Sequence, residues 1–407
     1  MQNKYSHTKL ACYTANISMS IVGSLSPLLF LTFHSLYNIS YSLLGLLVLI
    51  NFVTQLTIDL IFSFFSHKFN IPLTVKIMPL FTIAGLLIYG LAPVLFAADV
   101  YVGLALGTVI FSISCGLSEV LISPVIAAIP ANDPDREMSK LHSIYAWGVV
   151  IVSIASTLFL FGAGPEWWFC LPFIFALVPL ASALLFAFSE IPQMETPEKA
   201  SAAFHLLGNR GVWLCVLAIF LGGASECTMA QWASGYLEGA LGINKVWGDI
   251  FGVALFSVML GLGRTLYSKI GKNIERVLLF GALGAFVCYM TAALFPIPAI
   301  GLIACAITGF CVSMLWPGSL IVASERFPAG GVFIFALMAA GGDLGASIGP
   351  QLIGIITDCV TASGAFSNII PSLAPEQIGM RIGMLIAGIF PLCAVLVYQK
   401  FTKSKKK

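Results

Sequence analysis

Glu119 stands in CGLSEVLISPVIAAIP, residues 115 to 130, a run that is otherwise apolar. Ser112 and Gly116 lie seven and three residues before it and Ser123 four residues after it, spacings that stack on one side of a helix. A carboxylate at the centre of a lipid bilayer costs about 2.5 to 3.5 kcal/mol on insertion scales, so an acid kept there points to a task. Withdrawal from water favours the protonated form of a carboxyl group, and such an acid could load and release a proton near neutral pH. Asp59, Glu226 and Asp343 are three further acids in apolar runs, and Arg264 is a cation in another. Proton coupling is the chemistry these four acids offer, with Arg264 as an ion-pair or gate partner. Glu119 fixed in a permanent pair with a partner such as Arg264 is the alternative, Asp59 could equally serve as an interhelical gate contact, and Asp343 as a member of a structural ion pair.

Polar side chains recur beside these charges. Asn51, Gln55, Asp59 and Ser63 follow each other at four-residue spacing, as do Asn16, Ser20 and Ser24. In lipid such faces turn inward, to bond neighbouring helices or to wet a cavity. Glu226 is followed by Gln231, Trp232 and Tyr236, and Trp316 precedes Pro317. Aromatic faces beside carboxamides suit a sugar, whose C–H faces pack on rings while its hydroxyls need hydrogen bonds. Asn16, Gln55, Gln231, Trp232 and Trp316 are therefore the candidate substrate contacts, and Tyr236 is assigned to the interfacial aromatic belt. Gly341, Gly345 and Gly349 form a small-residue stripe for close helix packing, with Asp343 about 160° away around the helix.

These residues need helices to position them. The chain has 407 residues, 59% hydrophobic and only 9% charged, against roughly a quarter charged in soluble proteins. About twenty apolar residues cross a bilayer, and the sequence divides into twelve such spans: 11–33, 41–66, 76–98, 100–129, 141–163, 167–189, 210–237, 247–268, 277–296, 298–324, 331–357 and 382–400. With both termini on the cytoplasmic side, 17 of the 20 Lys and Arg residues are cytoplasmic, leaving Lys245 and Arg381 outside and Arg264 within a span. The expectation is a multi-pass protein of the cell (plasma or inner) membrane, acting as a monomer, with its first helix retained rather than cleaved. Its ten cysteines show no C-x-x-C pair or metal spacing, and the terminal KSKKK reads as a topology anchor beside lipid headgroups. No metal, cofactor or nucleic acid is expected. A nucleotide fingerprint is absent, and His142, the only internal candidate base, has no G-x-S-x-G or H-E-x-x-H beside it, so no enzyme is expected.

SEIPQMETPEKASAAFHLLGNR, residues 189 to 210, is the longest polar connection and divides the chain into six-helix bundles at 1–190 and 209–407, joined by a cytoplasmic linker at 191–208. FFSHKFNIPLTVK between spans 2 and 3 and LYSKIGKNIERV between spans 8 and 9 echo each other as short basic hairpins, suggesting a repeat with its substrate site near the midplane. The chain resembles the major facilitator superfamily over essentially its full length. His67 and Lys68 stand where the Asp and Arg of that superfamily's Asp-Arg-x-Gly signature would be, which argues against its drug-efflux branches. Within it the chain is similar to the fucose permease-like sugar transporters. Glu119 followed by Ser123-Pro124 keeps the spacing of their Glu and Asn-Pro in span 4. LHSIYAWG (141–148), GASECTMAQWASGYLE (223–238) and WPGSLIVASERFPAGG (316–331), followed by GGDLGASIGPQLIGIITD, also resemble that group. Their span 1 carries an acid, whereas here Asn16 is the prominent polar residue.

The resemblance implies an all-α membrane protein of twelve helices in two pseudo-symmetric bundles. The function expected is proton-coupled symport of a sugar or related small polar solute, with Na+ as the alternative ion. A proton-coupled efflux antiporter for amphipathic compounds is the runner-up within transport, and a non-transporting membrane sensor is the reading from another class. The charges are expected to border a water-accessible chamber between the two halves.

Overall fold

The computed structural model describes residues 5–65, 68–130, 134–192, 205–295, 297–327, 331–363 and 372–404. His67, most of the expected linker (193–204) and Lys405, Lys406 and Lys407 lie outside the described residues, as do the side chains of Ser63, Ser123 and His142. The described residues form helices and no strand. Eleven helical stretches are long and apolar enough to span a bilayer, and the bent pair Ser6–Leu28 and Phe30–Tyr37 makes a twelfth. All twelve correspond to the spans read from the sequence.

Span 1 bends by 46° just after Pro27, whose ring cannot donate to the preceding turn and crowds the carbonyl four residues back. Spans 2 to 5 are Tyr41–Phe65, Ile71–Leu95, Val100–Ala128 and Pro134–Ala163, and span 6 runs through Cys170–Phe175 and Leu177–Ala187. Span 7 is Arg210–Gly239. Span 8 begins at Lys245–Gly248, passes through a π-helical turn at Asp249–Ala254, and continues as Leu255–Ile270. Span 9 is Ile274–Leu294 and span 11 is Gly331–Ser363. Span 10 is broken, Pro298–Val312 then Leu315–Arg326, with Pro317 in the first turn of the second piece, where a missing N–H costs nothing. Span 12 is Pro375–Ala387 and Ile389–Ser404, so Arg381, expected outside, lies within its first helix.

An even number of crossings puts both chain ends at one end of the bundle, the terminal end; the other is the far end. Among the first six spans, 3 packs on 4, 1 on 5 and 6, and 2 on 4; among the last six, 7 packs on 10, 11 and 12, 8 on 10, and 9 on 10 and 12. Two long seams join these groups: span 2 lies along span 11, and span 5 along span 8. Large apolar side chains such as Leu80, Leu184, Phe280 and Leu396 on spans 3, 6, 9 and 12 face outward, as lipid contact requires. Span 11 can serve as a seam helix because its glycines admit span 7 on the other side. At Gly345 an added Cβ would collide with the backbone carbonyl of Phe220, which a rotamer change cannot move.

Gly345→Ala is expected to destabilise the bundle by about 2 kcal/mol or more through this overpacking. Gly162→Ala, where an added Cβ meets open space, is expected to be neutral or to stabilise by up to about 1 kcal/mol through helix propensity. Thermal unfolding midpoints in detergent compare the two.

Candidate functional site

Spans 2 and 4 run parallel and their polar stripes meet in register. Ser112 Oγ donates to Asn51 Oδ1 at 2.6 Å. One turn on, Gly116 lets the backbone at Gln55 and the side chain of Ile58 approach closely. One further turn brings Asp59 beside Glu119, and Asp343 of span 11 joins them from across the seam: a carboxylate oxygen from each lies within 4.8 Å of the others. Asp59 and Asp343 are fully buried, while Glu119 is half-buried. The glycine stripe of span 11 faces span 7, so Asp343 is left on the opposite side, aimed at spans 2 and 4.

Three ionised carboxylates cannot stay in this arrangement. At 4.8 Å each pair repels by about 3.5 kcal/mol even with an effective dielectric of 20. Arg264, the cation weighed against Glu119 in the sequence, is engaged elsewhere: its Nη2 donates to Glu226 Oε1 at 3.1 Å and Oε2 at 3.4 Å, and its Nε donates to the Ser313 carbonyl at 3.1 Å. The permanent Glu119–Arg264 pair considered above is therefore not formed. Protons or a cation must neutralise the cluster, and the three oxygens would suit a hard cation as well as protons. Cys227 lies within electrostatic reach of Glu226, Asp343, Arg264 and Glu119, and Tyr145 of Glu226 and Arg264, so the acid cluster and the ion pair are parts of one central layer. The ion pair is not sealed: the Arg264 and Glu226 side chains keep 30% and 14% of their surface.

The candidate substrate contacts are more dispersed. Asn16 Nδ2 donates to the Leu141 carbonyl at 2.6 Å and Ser20 Oγ to that of Tyr145 at 2.9 Å, so the polar face of span 1 ties it to span 5. Gln231 Nε2 reaches the Gly23 carbonyl at 3.3 Å, linking spans 7 and 1. Trp232 is fully buried, donates to the Pro350 carbonyl at 2.9 Å and meets Phe30 edge to face. Trp316 lies over Gly342 and Gly223, wedged between spans 11 and 7. Gln55 is buried on the face that carries Asp59. Tyr236, assigned to the aromatic belt, is instead buried and donates to the Ala292 carbonyl at 2.7 Å; its ring points inward at span 9 rather than at the interface. Beside the upper part of the span 2 and span 4 stripes, a cavity lined by Ser26, Asn51, Thr108 and Gln231 holds about 10 Å³, room for one water. Both seams are closed in this state.

Two acids escaped the sequence reading. Asp249, two residues past the predicted start of span 8, is buried with Thr157 Oγ1 at 2.7 Å and Lys245 Nζ at 3.2 Å. Asp358, one residue past the predicted end of span 11, accepts from the backbone N–H groups of Tyr41 and Ser42 at 3.1 and 2.7 Å. Asp249 lies just inside its predicted span and was passed over, whereas Asp358, just outside its own, reads as loop; the available signal there was that it closes the stretch GGDLGASIGPQLIGIITD.

The sequence profile of the Major Facilitator Superfamily matches residues 11–350. The chain belongs to that superfamily. No curated protein matches the chain in sequence. Solved structures share its fold. A bacterial homologue of the human lysosomal transporter Spinster, inward-facing and occupied, is 15% identical with a TM-score of 0.72, over 98% of this chain and 97% of its own. A D-xylose–proton symporter is 14% identical with a TM-score of 0.73, over 95% and 96%. The Escherichia coli fucose:proton symporter is 14% identical with a TM-score of 0.61, over 96% and 99%. As a Major Facilitator Superfamily member the chain is a multi-pass membrane transporter.

Arg264→Leu leaves Glu226 without its partner and is expected to cost about 3 kcal/mol, whereas the double variant Glu226→Gln with Arg264→Leu regains most of it. Unfolding in detergent of the two singles and the double measures the coupling.

Proposed function

We propose that this transporter moves a sugar or related small polar solute together with protons by alternating access. The observation that carries the reading is the meeting of Asp59 and Glu119 with Asp343, because these acids come from opposite sides of the seam between spans 2 and 11. Their mutual repulsion makes closure of that seam conditional on neutralisation, and separation of the seam releases the acids to water and to deprotonation. Proton load and conformation are thereby linked through one cluster. Half-buried Glu119 is the member through which protons enter and leave; Asp59 and Asp343 hold the shared proton across the seam. Glu226, held by Arg264, takes the part of a fixed charge in the same layer, and Arg264 Nη1, which has neither Glu226 nor Ser313 as partner, is left to meet solute hydroxyls.

The sugar reading is supported by the motifs shared with the fucose permease-like group and by structural neighbours that carry xylose or fucose with protons. Gln55 and Gln231 flank the central layer and supply the hydrogen-bonding groups a polyol needs. The distribution of Lys and Arg supports a cell-membrane protein with cytoplasmic termini, so that the terminal end faces the cytoplasm. Two six-helix bundles, 1–190 and 209–407, would rock about the seams.

The test is uptake of a labelled monosaccharide and disaccharide panel into proteoliposomes with an imposed pH or Na+ gradient. A pH gradient is expected to drive accumulation, and Glu119→Gln is expected to abolish it while solute exchange continues. Unchanged accumulation in that variant removes Glu119 as the coupling acid, and accumulation driven by Na+ alone replaces the proton as the coupled ion.

A further inference from the structure

The far end is fastened differently from the central layer. Asp358, near the C-terminus of span 11, places Oδ1 3.1 Å from the Tyr41 N–H and Oδ2 2.7 Å from the Ser42 N–H, and the Ser42 hydroxyl donates to the same Oδ2. Ser40 Oγ accepts from Leu43 N–H at 3.3 Å. The first turn of span 2 is thus capped half by its own chain and half by a helix more than three hundred residues away. A carboxylate there also meets the positive end of the helix dipole. Gln351, two turns earlier on span 11, donates to the Ser42 carbonyl at 3.2 Å, so the junction holds two consecutive turns.

The other seam carries a counterpart. Asp249 sits in the π-helical turn of span 8, buried, and receives Thr157 Oγ1 of span 5 at 2.7 Å together with the hydroxyl of Ser234. Lys245 pairs with Asp249 at 3.2 Å while its Nζ also donates at 2.6 Å to the Leu28 carbonyl, at the bend of span 1. Each seam therefore holds one carboxylate from the last six spans that accepts hydrogen bonds from the first six, and every one of those cross-seam bonds must break for the far end to part.

We propose that Asp358 and Asp249 are the two far-end latches of the transport cycle, positioning residues that hold this end shut and set how often it opens. The proposal rests on the alternating-access reading and adds to it the residues that fix the conformational balance. Because both latches report on one closure, weakening either must loosen the other.

Hydrogen–deuterium exchange of the full chain in lipid nanodiscs tests this through two independent variants, Asp358→Ala and Thr157→Val. In Asp358→Ala the amides of residues 41–44 are expected to exchange at least about tenfold faster as two charge-assisted bonds are lost. Residues 246–254 at the other seam accelerate with them, while residues 258–267 toward the terminal end keep their protection. Thr157→Val, which touches only the second seam, accelerates residues 41–44 in turn. Asp358→Asn, which keeps one acceptor oxygen, falls between Asp358→Ala and the parent. Acceleration confined to the substituted seam in Thr157→Val, or in Asp358→Ala, overturns the proposal and reduces these contacts to local caps. The solute-uptake panel stands apart: coupled exchange between the seams in a chain that moves none of the sugars would refute the sugar–proton reading and leave the latches standing.

Discussion

Three carboxyl groups held within one another's reach at a helix seam impose the constraint on which the rest of this molecule turns. Like charges in a medium of low effective dielectric repel strongly, and here the cation that could offset them, Arg264, is already engaged with Glu226. The helices that bring the acids together are shaped for it: Gly116 lets spans 2 and 4 close, the Asn51–Ser112 bond fixes their register, and the glycine stripe of span 11 sends span 7 to one side so that Asp343 faces the other. The packing is thus committed to an arrangement that only a neutralised cluster can adopt, whether protons or a cation neutralise it.

Acids serve opposite purposes at two levels of the bundle. In the central layer acid meets acid, and the contact demands neutralisation. At the far end acid meets N–H, hydroxyl and ammonium groups, and the contact needs the carboxylate as acceptor. A chain with so few charged residues places these at the points where its two groups of six spans touch, since a charge in lipid is costly and a charge at a closable seam can be compensated.

The architecture was legible because apolar length and loop cations report directly on the bilayer, a solvent whose rules act residue by residue. The polar stripes of spans 1 and 2 and the Glu119 face were legible for the same reason, as local periodicity. Partnerships were not. Whether Arg264 faces Glu119 or Glu226 depends on which helices adjoin, and nothing within span 8 encodes that. Tyr236 resembles a belt residue by its depth, yet span 9 supplies the Ala292 carbonyl that draws its hydroxyl inward. Asp358 fell just past an apolar window, where hydropathy stops but the helix continues because a distant span satisfies the charge, and Asp249, at the start of its own span, gave no sign of the partners that bury it.

Infrared spectroscopy of the protein in lipid at neutral pH reads the central claim most directly, through the C=O stretch that a carboxyl group shows only when protonated. The account predicts such a band in the parent chain, diminished in both Asp59→Asn and Asp343→Asn, since either variant dissolves the shared-proton cluster. A parent spectrum without protonated-carboxyl absorption, or a band indifferent to both substitutions, would contradict it.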